Sequence, residues 1–190
     1  MGITVDSNVI NAYLHCMIND ETTDVVYRLI ECISSGPGFS IDEDGKMMHQ
    51  WNETCNNKLF EVWFAEGIQT GIIQAVEHML SEQHKKHLRI KLGFPYQERH
   101  EGVYIEVAAV TPEKLLISED IDFWSPTDKG STPERRRQIM EGGQGAVCRY
   151  LRNKIGVCVL TVDLALRQLT TQQDGAMLEC DLDVTRGNGP

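Results

Sequence analysis

Short apolar runs that alternate with longer stretches of helical periodicity constrain this chain more than any other feature. "GITVDS" (2–7), "FSID" (39–42), "LRIKLG" (88–93), "KLLIS" (114–118) and "GVCVLTV" (156–162) have the length and composition of strands. Between them, "NVINAYLHCMI" (8–18) and "TTDVVYRLIECISSG" (22–36) space apolar residues helically, with Thr22 or Thr23 as an N-cap and Gly36-Pro37-Gly38 as a stop. Helical periodicity returns over 43–65 and again over 69–84, where Ile72, Ile73, Val76, Met79 and Leu80 share a face. "EGVYIEVAAVT" (101–111) reads as a helix because a crossover must precede the next apolar run, and further helices are expected over 134–153 and 164–169. Strands separated by helices imply parallel β-α-β units with helices on both faces of a sheet, an α/β fold. Residues 171–190 lack periodicity and read as a C-terminal tail.

A chain of 190 residues fits one domain. No stretch approaches the roughly 18 apolar residues that span a bilayer. The N-terminal residues lack the charged region and apolar core of a signal peptide, so the expectation is a cytoplasmic protein with no membrane partner. Six cysteines without a CxxC pair or a zinc-finger histidine read as thiols in that setting. The net charge of −10 argues against general nucleic-acid binding. Ten of the eighteen Lys and Arg nevertheless cluster in two runs, 84–91 and 134–154, which would make a basic rim around an acidic centre. Taken singly, each run is an ordinary solvated helix face.

The acidic centre is suggested by strand ends. "ITVD" ends in Asp6 and "LLISEDID" in Glu119, Asp120 and Asp122. In open parallel sheets ligands bind beyond the carboxyl ends of the strands, where strand order reverses. Carboxylates gathered there raise one another's pKa, and a divalent cation with oxygen preference, Mg2+ or Mn2+, relieves the repulsion. The competing interpretation is that Asp6 caps the helix that follows it, which for that residue alone is the favoured one.

In combination these residues resemble the PIN domain nucleases, which include the VapC-type toxins. "VDSNVI" supplies the strand-end Asp6 followed by Ser7 and Asn8, and "EGVYIEVAAVTPEKLLISEDIDF" looks like the acid that opens the helix before the fourth strand, Glu101, and the strand-end motif of Ser118, Asp120, Asp122 and Phe123. The resemblance spans about residues 1–170 and implies a three-layer α/β/α domain whose central parallel five-stranded sheet has the order 3-2-1-4-5. It also implies a metal-dependent endoribonuclease. Asp6, Glu101 and Asp120 would hold Mg2+ or Mn2+, with Glu53 and Asp122 assisting directly or through water. Ser7, Asn8 and Ser118 would orient the carboxylates, and Arg135, Arg136 and Arg137 would contact the RNA substrate. Two departures stand out. The acid of the third helix is either Glu53, the assignment made here, or lost at Gln50; and Glu101 stands where the family more often has Asp. Members of the toxin type often dimerise and are held inactive, which adds an antitoxin-like inhibitor and a homodimer to the expected partners.

A haloacid dehalogenase-type phosphatase would need a second Asp two residues after Asp6, where this chain has Asn8. A degenerate PIN-like domain that binds protein or nucleic acid without catalysis, and a structural α/β module whose acids are caps and solvated loop residues, are the remaining alternatives. Phe123 and Trp124 are expected to bury the base of the loop, and His84 and His87 to lie on a solvated face.

Overall fold

The structure, a computed structural model, describes residues 2–97 and 101–172. Its strands are short and parallel: β1 (Thr4–Val5), β2 (Phe39–Asp42), β3 (Ile73–Val76), β4 (Leu115–Ile117) and β5 (Cys158–Leu160). They form a three-stranded sheet in the order β1-β4-β5 and a separate two-stranded sheet, β2-β3. The fold is mixed α/β, but the expected five-stranded sheet is not formed. A single parallel bridge from Ile3 to Phe39 sets β2 beside β1 without extending the ladder. At the bridge the Ile3 N–H donates to Gly38 O (2.9 Å) and the Ser40 N–H to Ile3 O (3.0 Å). β1 is only two residues long and its backbone groups alternate between its two edges, which leaves few to face β2.

Every residue of β1, β2, β4 and β5 is buried, the pattern of parallel strands covered on both faces. Helix α6 (Glu101–Val110) packs across β1, β2 and β4, and its first eight residues are all buried. A helix buried on every side lacks an amphipathic signature. Helix α1 (Ser7–Asn19) contacts both α2 (Val25–Ser35) and α3 (Lys46–Cys55), while α9 (Val162–Gln172) packs on α2 and β5. The true N-cap of α2 is Asp24, whose carboxylate accepts from the Val26 N–H, in place of Thr22 or Thr23.

Two sequence expectations fail in the middle of the chain. The helix expected over 69–84 is replaced by the end of α4 (Lys58–Thr70), a left-handed Gly71, strand β3 and α5 (Glu82–Lys86). Ile72, Ile73 and Val76 are β-branched, and parallel pairing of Ile73–Val76 with Phe39–Asp42 outweighs their helical spacing. "LRIKLG" is not a strand; α5 runs on into a π-helical turn, His87–Lys91, in which only Leu88 is buried. The helix expected over 134–153 divides into α7 (Pro133–Glu141) and α8 (Ala146–Tyr150), the latter continuing as a π-helical turn, Leu151–Ile155. Gly145 allows the second part to approach: a Cβ there would lie 1.9 Å from the Trp124 carbonyl oxygen. That oxygen accepts the Val147 N–H at 3.0 Å.

Phe123 and Trp124 are fully buried, as expected of the base of the loop. His84 and His87 are half-buried instead of solvated: Tyr150 stacks on the His87 ring (centroids 4.3 Å apart) and its hydroxyl lies 2.8 Å from His84 Nδ1. Cys16, Cys32, Cys55 and Cys148 are thiols, whereas Cys158 is disulfide-bonded, against expectation. Of the expected tail, Thr171 and Gln172 belong to α9, and 173–190 lie outside the described residues. Among the described residues no helix is long and apolar enough to cross a membrane.

Candidate functional site

β1 and β4 are hydrogen-bonded neighbours, so the residues that follow them emerge side by side. Asp6 follows β1 and is 2 % exposed. It stands at the N-cap position of α1, yet its side chain makes no cap hydrogen bond. The carboxylate is instead held by Ser118 Oγ, which donates to Oδ2 at 2.7 Å, and by Ser7 Oγ, which donates to Oδ1 at 3.3 Å. Capping therefore does not account for Asp6. Ser118, fully buried, also accepts the Asp120 N–H at 2.9 Å, so one hydroxyl orients Asp6 and anchors the backbone of Asp120.

The three acids after β4 have separate tasks. The Glu119 carboxylate accepts the Val162 N–H (2.7 Å) at the start of α9. Asp120 accepts the Asp122 N–H (3.0 Å) and caps the short helical turn Ile121–Phe123. Asp122 is buried and bound to Lys129 Nζ at 2.6 Å. Glu101 opens α6, is buried, and its Oε2 has no hydrogen-bond partner.

A cleft of about 550 Å³ joins these elements, lined by Ser7, Asn8, Gln50, Glu53, Glu101 and Asp120 among others. Burial pushes the Asp6 pKa up to about 6, Ser118 opposing the rise and the Asp120 charge adding to it. Glu101 is pushed up to about 8, first by burial and then by the charges of Asp6, Asp120 and Asp122, with Lys129 pulling the other way. The Lys129 ammonium is held above its ordinary range, chiefly by its hydrogen bond to Asp122. These groups would thus favour an added positive charge.

The third-helix residue is where geometry and sequence choice part. Gln50 is buried at the cleft, with Oε1 lacking a partner. Glu53 sits at the same cleft with its side chain 68 % exposed and its carboxylate 3.2 Å from His49 Nε2. Gln50, not Glu53, therefore faces the buried acids with an unsatisfied oxygen. Of the three arginines, Arg136 lines an adjoining groove with Asn8, Asp120 and Lys129; Arg135 is exposed, and Arg137 is exposed and paired with Glu141 (2.6 Å).

Sequence reading missed a second group. Asp42, Asp44 and His78 bring one ligand atom each within 4.8 Å of one another, and the strand end "FSID" carried the same signal as "ITVD". Their atoms already have partners: Asp42 accepts the Lys46 and Met47 N–H groups, both at 2.7 Å, and so caps α3. Asp44 pairs with Lys46 Nζ (2.8 Å), and His78 Nδ1 lies 3.0 Å from Glu106 Oε2. This is a satisfied ion-pair network and a poor metal site. It is also the tighter of the two groups, since Asp6, Glu101, Asp120 and Asp122 do not approach one another so closely among the described residues. Lys129 was the other residue missed, since lysine is not part of an acid pattern; Gln50, the alternative to Glu53 in the sequence, is the one the fold buries at the cleft.

Compared with known proteins, the chain matches no family model, no curated protein and no solved structure.

Proposed function

We propose that the cleft is a divalent-metal centre that hydrolyses phosphodiester bonds of RNA. The observation that carries this reading is Glu101, a buried carboxyl with an unpartnered oxygen whose pKa is raised first by burial and then by three other acids that follow β1 and β4. An ionised Glu101 would be a costly buried charge; in the metal-free protein a proton relieves that cost at neutral pH, and a divalent cation would do so in its place. By type the donors suit a hard cation, carboxylate oxygens from Asp6, Glu101 and Asp120 and the amide oxygen of Gln50, and side-chain rotation would have to draw them together around one ion. Asp122, already bound to Lys129, serves better as the residue that places that ammonium than as a ligand.

A bound Mg2+ or Mn2+ supplies a more acidic water and charge stabilisation at the scissile phosphate. The chain's own contributions are separable from that chemistry. Ser118 and Ser7 hold Asp6 in one orientation, and Ser118 couples it to the Asp120 backbone. Lys129, bound to buried Asp122 but with its side chain 65 % exposed, presents positive charge beside the acids, where it can meet a phosphate.

The test is cleavage of labelled single-stranded RNA in Mn2+ or Mg2+, comparing the natural chain with Asp120→Asn prepared identically. Metal-dependent cleavage lost in the variant is the expected result; equal cleavage by both would refute the assignment. A second reading, a PIN-like module that binds without catalysis, is favoured by Gln50 in place of an acid. It predicts no cleavage by either protein and no heat of Mn2+ binding in calorimetry.

A further inference from the structure

A second cavity, of about 460 Å³, is lined by Lys46, Lys85, Lys86, Arg89, Tyr96 and Gln97 among others. Lys46 comes from the start of α3, Lys85 and Lys86 from α5, and Arg89 from the π-helical turn that continues it. Two of the four cations are committed. Lys46 pairs with Asp44 (2.8 Å), and Lys85 reaches the buried Glu106 at 3.2 Å and Glu82 at 3.6 Å. Burial opposes the charge on Glu106, but hydrogen bonds from Tyr96, His78 and Lys85 outweigh it and keep the carboxylate ionised. Lys86 and Arg89 are exposed and have no ion-pair partner among the described residues. Tyr150 clamps the segment that carries them between His84 and His87, so their backbone is held in place.

Two grooves lie between this cavity and the acidic cleft, each sharing lining residues with the next. Arg89, Tyr96 and Gln97 also line a second groove that ends at Asp122 and Lys129. Lys129 in turn lines a third, with Arg136, Asn8 and Asp120. Asn8 and Asp120 then belong to the acidic cleft itself. The track therefore runs from two unpaired cations, past Lys129 and Arg136, to the acids. One end and one side of it draw on the two basic runs that are separate in sequence.

From this continuity we propose that the Lys86–Arg89 cavity binds a phosphate of a single-stranded nucleic acid whose chain passes along the track into the acidic cleft. The inference rests on the nuclease reading for the purpose of the track but not for the binding itself. A repeating phosphate backbone suits a row of cations spread along a groove better than one small anion.

The experiment is fluorescence anisotropy with a labelled twelve-nucleotide oligouridine, with EDTA present so that nothing is cleaved, across a range of salt. The Lys86→Ala/Arg89→Ala variant is compared with the natural chain, and both are assayed with Mn2+ on bis(p-nitrophenyl) phosphate, too small to reach the cavity. The variant is expected to bind more weakly, with a salt slope shallower by about 1.4, two contacts at about 0.7 each for a single strand. Its Mn2+-dependent hydrolysis of the small ester should be unchanged. Identical affinity and slope in the two proteins would overturn the cavity assignment whatever the esterase result. Loss of binding with no esterase activity in either protein would uphold the cavity and count against the nuclease reading alone.

Discussion

Replacing Asp6 by Asn removes one buried charge while leaving an oxygen to accept from Ser118 and an amide near Ser7 Oγ. In the folded chain Asp6 titrates at about 6, against 3.8 for an unperturbed group, a rise of about 2 pKa units. Because the raised pKa belongs to a carboxyl, the folded state binds the proton more tightly than the unfolded chain. Its contribution is therefore complete below about pH 4 and is lost as pH rises through about 6. At about 1.4 kcal/mol per unit the loss is roughly 3 kcal/mol, which for a chain of this length corresponds to about 5–10 °C in Tm. Thermal melts in EDTA from pH 4 to 7.5 should show the natural chain losing stability relative to Asp6→Asn, with the difference growing to pH 6 and level by pH 7. Asp6 is also the largest charge acting on Glu101 after burial, so the variant should lower the Glu101 pKa from about 8, followed by carboxyl carbon NMR. Mn2+ at pH 7.5 should restore the natural chain and leave the variant little changed. Parallel loss of stability in the two proteins across pH 4–7 would refute the claim that Asp6 carries a desolvated charge.

Gln50→Glu places a fourth carboxylate against Asp6, Glu101 and Asp120; it should destabilise the metal-free protein by about 1–3 kcal/mol and tighten Mn2+ binding measured by calorimetry. Ser118→Ala removes a buried donor to Asp6 and an acceptor for the Asp120 N–H, a cost of about 1–3 kcal/mol in urea unfolding, and should raise the Asp6 pKa further. Gly145→Ala must displace the Trp124 carbonyl and should cost about 1–3 kcal/mol; an unchanged midpoint would mean that α8 can move away freely.

Strand-end acids were legible because they depend on local pattern. "ITVD" and "LLISED" place Asp6 and Asp120 at the ends of β1 and β4 by chain order, and the helix between them opens on Glu101 as its position before β4 suggested. Helical spacing at 72–80 misled because β3 gains its stability from β2, more than thirty residues earlier, a partner that periodicity does not see. The same limit applies to Glu53: Gln50 and Glu53 differ by three positions on one helix face, and only the packing of α3 determines which one is buried against the acids.

The amino-acid sequence by itself determined the alternation of strands and helices, the acids at two strand ends and the two basic runs, since each is a property of neighbouring residues. The tertiary structure alone decided that the strands divide into two sheets, that Ser118 holds Asp6, that Lys129 occupies Asp122, and that Arg89 lines a groove with Asp122 and Lys129 while Arg136 lines one with Asp120 and Lys129. Those facts depend on which distant segments meet, and that is set by the burial of whole faces, not by the local pattern of any one of them.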